Sequence, residues 1–174
     1  TRSKQRDRLP TAEELQMLTN YFYKSWKRVK NSTPMHLIMW FAVYTARRED
    51  ELCSLRLDDF DDLNSQWLVR DAKNPNGSLG NHKYAHMEPR AINMIDEFMK
   101  PEVRDRMLAL GYDKNLLITV NTRTVSTYFT RACNACGISD LRFHDLRHEA
   151  ATRYAEDGFT IPQLQTIPLH ESWN

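Results

Sequence analysis

The chain has 174 residues, 24 of them basic and 23 acidic, for a formal net charge of +1, with 41% hydrophobic and 27% charged side chains. That length suits one domain, or one domain with a small appendage, and allows a sizeable buried core. The near-neutral balance excludes a uniformly basic nucleic-acid binder while leaving local patches open, and the longest apolar run, "MHLIMWFAVY", falls well short of the roughly 20 residues of a membrane span, so no membrane partner is expected.

No leader-like pattern opens the sequence, which predicts a cytoplasmic protein and an excised piece of a longer chain. "TRSKQRDR" is strongly basic and reads either as a solvated end or as a linker, with 1–10 set apart from 11–174. "TAEELQMLTNYFYKSW" follows, opening with the capping-box pattern Thr11-x-x-Glu14 and carrying Leu15, Leu18 and Phe22 at helical spacing. Lys24, Lys27, Arg28 and Lys30 make a second basic cluster. "PMHLIMWFAVYTA" is apolar nearly all round, with Pro34 at the first helical position, and predicts a buried central helix. "EDELCSLRLDDF" predicts a shorter helix with Leu52 and Leu55 inward.

The period then changes. "QWLVRDAKNPNGSLGNHKYAHMEP" has β-rich ends, Trp67 to Arg70 and Lys83 to Met87, around Pro75, Gly77 and Gly80, which predicts a hairpin with a long tip. Helical patterns resume in "PRAINMIDEFM", in "PEVRDRMLALG" closed by Gly111, in "TRTVSTYFTRACNACG" closed by Gly137 and in "RFHDLRHEAATRYAEDG" closed by Gly158. Pro168 argues against one continuous helix through "TIPQLQTIPLHESWN". The fold class is therefore α+β, mainly α, with one small antiparallel sheet or hairpin.

Three cysteines cannot all pair with one another, which suits a reducing compartment. Cys133 and Cys136 form a C-x-x-C inside a helical pattern and lack a second such pair, so a core role outweighs zinc or redox chemistry. His144 and His148 stand four apart, a spacing that also suits half of a metal site, yet no H-E-x-x-H and no evident acidic partner accompanies them, and no metal or cofactor is expected. In "HDLRH", His144 and Arg147 share one helical face, while Leu146, Ala150 and Tyr154 line another at four-residue steps. Arg47 and Arg48 sit in "TARREDEL" at a helix junction, Lys73 in the hairpin loop, and His170 near the end. Arginine binds phosphate through two parallel donors, and lysine and histidine move protons, so the set suits phosphoryl transfer without a metal. Taken singly, each arginine is as well explained by an ordinary salt bridge.

In that order and spacing, "TARREDELCSLRLDDFD", a hairpin lysine, "HDLRHEAATRYAEDG" and a late histidine resemble the catalytic domain of the tyrosine recombinases, the phage-integrase family, with wording most similar to integrases of P2-like temperate phages. The resemblance runs from Leu9 to Asn174. It implies a site-specific enzyme that integrates or excises phage DNA by breaking and rejoining strands through a 3′-phosphotyrosyl intermediate. Arg48 and Arg147 would clamp the scissile phosphate, and Arg48 is chosen over Arg47 because the family arginine stands three residues before an acid and an apolar residue, here Glu51 and Leu52. Glu51 would orient the arginines, with Arg47 a surface or DNA-contacting neighbour. Lys73 would protonate the leaving 5′ oxygen, with Lys83 as its rival or a further DNA contact. His144 would act as general base or proton shuttle and His170 would support the phosphate.

The resemblance also implies double-stranded attachment-site DNA as partner, a homotetramer on DNA, a monomer for this piece alone, and room for an accessory DNA-bending protein. The pattern departs at two points. None of the seven tyrosines stands where the nucleophile belongs, two to three helical turns after the last histidine, so the nucleophilic tyrosine is expected beyond Asn174. In "PLHESW", Leu169 replaces the usual glycine, leaving Trp173 as an alternative to His170. An amino-terminal DNA-binding domain is expected ahead of the basic linker. Two rival functions stay open: a relaxing topoisomerase of type IB chemistry, and a DNA-binding module that keeps the scaffold without cleaving.

Overall fold

The computed structural model describes residues 6–111 and 113–157. Helix α1 (Ala12–Arg28) begins where the capping box places it. The Thr11 hydroxyl accepts from the Glu14 backbone N–H at 3.0 Å and the Glu14 carboxylate accepts from the Thr11 N–H at 2.9 Å, satisfying two donors that would otherwise lack partners. Glu13 and Glu14 in the first turn and Lys27 and Arg28 in the last complement the helix dipole. Leu15, Leu18, Phe22 and Trp26 form the single buried stripe.

Helix α2 (Met35–Thr45) is the centre of the molecule. Met35, Leu37, Ile38, Met39, Phe41, Ala42 and Val43 are all buried, and α1, α4, α6 and α7 pack around it. Each of these side chains other than Ala42 contributes about 1.5–3 kcal/mol when fully removed from water. Pro34 stands one position earlier than the sequence suggests, as the N-cap, its carbonyl accepting from Leu37 and Ile38. The helix ends at Ala46, whose φ of 55° is left-handed. A residue with a side chain holds that conformation at a cost of roughly 1–2 kcal/mol, so the surrounding packing must enforce the turn.

The helix expected over "EDELCSLRLDDF" shrinks to α3 (Glu49–Leu52), followed by a 3-10 turn at Leu57–Asp59. The cause is long-range backbone pairing. Leu57 N–H donates to Asn115 O, Leu117 N–H to Leu55 O, and Arg56 bridges Leu116, so this stretch gives up helical hydrogen bonds for partners elsewhere. The hairpin is present as β2 (Gln66–Val69) and β3 (Lys83–His86), joined on its outer side by an unanticipated β1 (Phe60–Asp61) into an antiparallel β1-β2-β3 sheet. Trp67 pairs with Ala85 and Phe60 and is fully buried, its indole N–H donating to Arg56 O at 2.8 Å.

Helices α4 (Pro89–Met99) and α5 (Pro101–Leu110) each start on a proline, where the missing N–H costs nothing. Helix α6 (Thr122–Ala135) is capped by the Asn121 side chain and followed by Gly137 at φ 69°, a left-handed position that suits glycine. Helix α7 (Asp145–Glu156) starts later than "RFHDLRH" suggests, because Asp145 folds its carboxylate back onto the Arg142 N–H at 2.8 Å and closes a turn there. Leu146, Ala150 and Tyr154 face the core, and the Tyr154 hydroxyl donates to Tyr44 O. Cys53, Cys133 and Cys136 are free thiols; burial pushes Cys53 up to about 12 and Cys133 up to about 11, so neither is a nucleophile at neutral pH. Among the described residues no helix is long and apolar enough to cross a membrane.

Candidate phosphate-binding site

The left-handed turn at Ala46 decides which arginine faces out. Arg48 leads into α3 with extended backbone (φ −67°, ψ 151°), and its side chain is partly exposed while that of Arg47 is fully buried. Consecutive side chains on extended backbone project to opposite sides. The expectation that Arg47 is a surface or DNA-contacting residue is therefore corrected: Arg47 lies inside, its Nη1 donating to Glu51 Oε2 at 3.3 Å and its Nε to Thr45 O at 3.4 Å. Glu51 reaches both neighbours, with its other oxygen 3.6 Å from Arg48 Nε. One buried carboxylate thus orients two guanidinium groups. Burial presses the Arg47 pKa down to about 9, and the group still carries its charge at neutrality.

Arg147 comes from α7 to the turn that presents Arg48, without lining the cleft that Arg48 and Lys73 share. Its side chain is buried, and its Nε donates to Ala46 O at 3.1 Å. The carbonyl of the strained turn therefore holds the second arginine, two residues ahead of the first. Among the described residues Arg147 has no carboxylate partner, and burial followed by the Arg48 charge presses its pKa down to about 10. The Arg48 charge disfavours that of Arg147 while Glu51 and Asp50 favour it, and a phosphate would relieve the repulsion between the two cations.

His144, immediately before α7, is solvent-accessible, and its backbone already has helical angles (φ −57°, ψ −29°), so it shares a face with Arg147 as the spacing implies. Partial burial, then Arg147, His148 and Arg48, hold its imidazole below the usual range. A neutral imidazole is the form that accepts a proton. The His144 and His148 rings lie 6.0 Å apart, and His148 Nδ1 is buried with no hydrogen-bond partner among the described residues. Among those residues no group of three or more His, Cys, Asp or Glu side chains is gathered as a metal site.

The hairpin brings the amine. Past β2 the two arms stay paired through Ala72 N–H to Asn81 O at 2.8 Å and the Asn81 side-chain amide to Ala72 O at 2.7 Å, which fixes the backbone next to Lys73. Lys73 is exposed, and with Arg48 and Arg70 and the carboxylates of Asp50, Glu51 and Asp71 it lines a cleft of about 140 Å³, room for roughly four or five water molecules at about 30 Å³ each. Lys83 does not line that cleft. It pairs with Val69 on the sheet face that buries Ala85, and is half-covered there. Arg70 was missed in the sequence, although its place at the end of a β-rich run just ahead of Lys73 was a usable signal; it is held by Asp59 through two hydrogen bonds of 2.8 Å.

His170 and Trp173 lie outside the described residues. Among the described residues no tyrosine lines the cleft. Tyr154 is buried, with its hydroxyl pKa pushed up by burial, and Tyr84 is exposed on β3.

Residues 9–174 match the model of the family described as the phage integrase family. The chain is 29% identical over 170 residues to a shufflon-specific DNA recombinase of Escherichia coli, a match that covers 97% of this chain and 38% of that protein; it thus spans well under half the length of the curated relative. Among solved structures it is similar to a lambda integrase dimer bound to a COC′ core site, with a TM-score of 0.70, 23% identity, and coverage of 98% of this chain and 47% of that one. The lambda integrase catalytic core matches at a TM-score of 0.65 and 23% identity over 95% of this chain and 96% of that one. At such identities these structures establish the fold, a helical domain with one small antiparallel sheet.

Proposed function

Because the chain belongs to the phage integrase family, we propose that it is the catalytic portion of a site-specific DNA recombinase that breaks and rejoins strands at attachment sites through a 3′-phosphotyrosyl intermediate. The observation that carries this reading is the convergence of Arg48, Glu51 and Lys73 on one cleft, with Arg147 tied by Ala46 O to the turn that presents Arg48.

In this reading Arg48 and Arg147 hold the non-bridging oxygens of one phosphodiester. Negative charge grows there as the phosphorus is attacked, and preorganised guanidinium groups stabilise that state more than the ground state. A tyrosine hydroxyl of the complete protein attacks phosphorus, its proton passing to His144. The bond from phosphorus to the 5′ oxygen breaks as Lys73 gives that oxygen a proton, leaving a 5′ hydroxyl and a tyrosyl ester on the 3′ phosphate. Reversal with a different 5′ hydroxyl rejoins the strands without outside energy. Glu51 orients the arginines, and His170, with Trp173 as alternative, supports the phosphate. Residues 1–10 act as a basic linker from a DNA-gripping domain, and the working form is a homotetramer on two duplexes in the cytoplasm of a bacterial host, with binding strongly weakened by salt because most contacts go to phosphates.

The test is to trap the complete protein on a nicked suicide substrate and map the linked residue. A tyrosyl-DNA adduct on the carboxy-terminal side of the "HDLRH" helix is expected. Site-specific binding without any adduct would leave a non-cleaving module, and relaxation of plasmids that lack an attachment site would point instead to a topoisomerase.

A further inference from the structure

Two arginines ahead of α1 reach across the fold to the turn that carries His144. The Arg6 guanidinium meets the Asp145 carboxylate with two parallel hydrogen bonds, Nε to Oδ1 at 3.1 Å and Nη2 to Oδ2 at 2.8 Å. It also donates to Asp140 Oδ1 at 3.1 Å and to Asp140 O at 2.9 Å. Arg8 is fixed by both oxygens of Glu14 at 2.9 and 2.7 Å, and its Nη2 donates to Ser139 O at 3.1 Å. The 139–145 turn is therefore gripped at its start, through Ser139 and Asp140, and at its end, through Asp145, by two arginines of a stretch that the sequence alone reads as a solvated end or a linker.

Asp145 is the centre of this arrangement. Its side chain is completely buried, and besides Arg6 its carboxylate accepts only the Arg142 N–H among the described residues. It opens α7, directly after His144 and two residues before Arg147. A buried carboxylate that loses its cation is strongly unfavourable, and the cheapest relief is local movement of the turn, which would carry His144 and the first turn of α7 with it. A shift of about 1 Å between reacting groups can cost a hundredfold in rate.

We propose that Arg6 is a positioning residue of the phosphate site, which holds Asp145 and through it sets His144 and Arg147 in register with Arg48. This rests on the recombinase reading above. Arg6 touches neither DNA phosphate nor reacting atoms in this role; it acts through Asp145. The arm preceding α1 thereby becomes part of the catalytic machinery, and the conformation of the chain at Arg6 is read out at the scissile phosphate.

The test measures single-turnover strand cleavage by the complete protein at saturating attachment-site DNA, with DNA affinity measured separately. Four variants accompany the parent: Arg6→Ala, Arg6→Lys, the double variant Arg6→Ala with Asp145→Asn, and Arg106→Ala. The last removes the guanidinium that caps the end of α1 through Trp26 O, Val29 O and Lys30 O, a stabilising contact remote from the cleft. Arg6→Ala is expected to slow cleavage about tenfold or more with affinity nearly unchanged. Arg6→Lys should give an intermediate rate, and the double variant should recover part of the loss because no bare buried charge remains. Arg106→Ala should lower the melting temperature and leave the rate at saturation intact. Cleavage at the parent rate by Arg6→Ala, or an equal slowing by Arg106→Ala, overturns the proposal. A parent protein that binds its site but never cleaves instead sinks the recombinase reading. Should Arg6→Ala not fold, the rate of Arg6→Lys against that of Arg106→Ala decides the matter.

Discussion

Replacing Arg147 with alanine separates binding from chemistry. Arg147 contributes one guanidinium whose Nε is held by Ala46 O; in the proposed clamp its two terminal nitrogens serve the phosphate. Loss of a single preorganised donor to a developing oxyanion costs about 10²–10³ in rate; two donors on one group act together rather than additively, so the cleavage step should slow by about 10³, or roughly 4 kcal/mol at about 1.4 kcal/mol per tenfold. Stability should change little. The orphaned Ala46 carbonyl costs roughly 1–3 kcal/mol, and removing a buried cation that Arg48 repels, one whose pKa is pressed to about 10, acts in the opposite direction. DNA affinity loses one phosphate contact among many, with the salt slope falling by about one. The assay is adduct formation on a suicide substrate beside gel-shift binding on the same DNA. Adduct formation at the parent rate would refute the clamp role, and loss of binding in step with loss of cleavage would show that Arg147 supports the ground state as much as the transition state.

Glu51→Gln removes the carboxylate shared by Arg47 and Arg48 and should destabilise the domain by about 3 kcal/mol, read as a lowered denaturant midpoint. Lys73→Ala, on an exposed loop, should leave stability within about 0.5 kcal/mol yet slow cleavage. A substrate with sulfur at the 5′ bridging position, whose leaving group needs no proton, should restore the rate; failure of that rescue would remove Lys73 from the acid role. Because burial and the neighbouring Arg147, His148 and Arg48 lower the His144 pKa, the imidazole stays neutral at pH 7. The cleavage rate should therefore hold through neutrality and fall only on acidification below the ordinary histidine range, and His144→Gln should abolish that acid limb. His36, pushed down to about 4 by burial, is neutral in the fold and charged in the unfolded chain between about pH 6.5 and 4. Stability is therefore complete above about pH 6.5 and lost on acidification, by about 1–2 kcal/mol once solvent screening is allowed for, a loss that His36→Phe should reduce.

The sequence by itself determined the elements whose cause is local. Thr11 and Glu14 cap α1 because four residues suffice to close the box. The all-round apolar character of α2 could only mean a central helix, and Gly137 ends α6 because glycine tolerates a φ of 69°. The order of "TARREDEL", hairpin lysine and "HDLRH" was also enough to recognise the family. Only the tertiary structure decided what depends on partners distant along the chain. Asn115 and Leu116 draw Arg56 and Leu57 out of a helix that local propensity favours, since hydrogen bonds to a distant segment are invisible to periodicity. Burial of Arg47 and exposure of Arg48 follow from one left-handed alanine, enforced by the packing around it. Arg6 finds Asp145 across 139 positions, a pairing that no local pattern encodes, because a guanidinium and a carboxylate attract through space and the fold alone sets that distance.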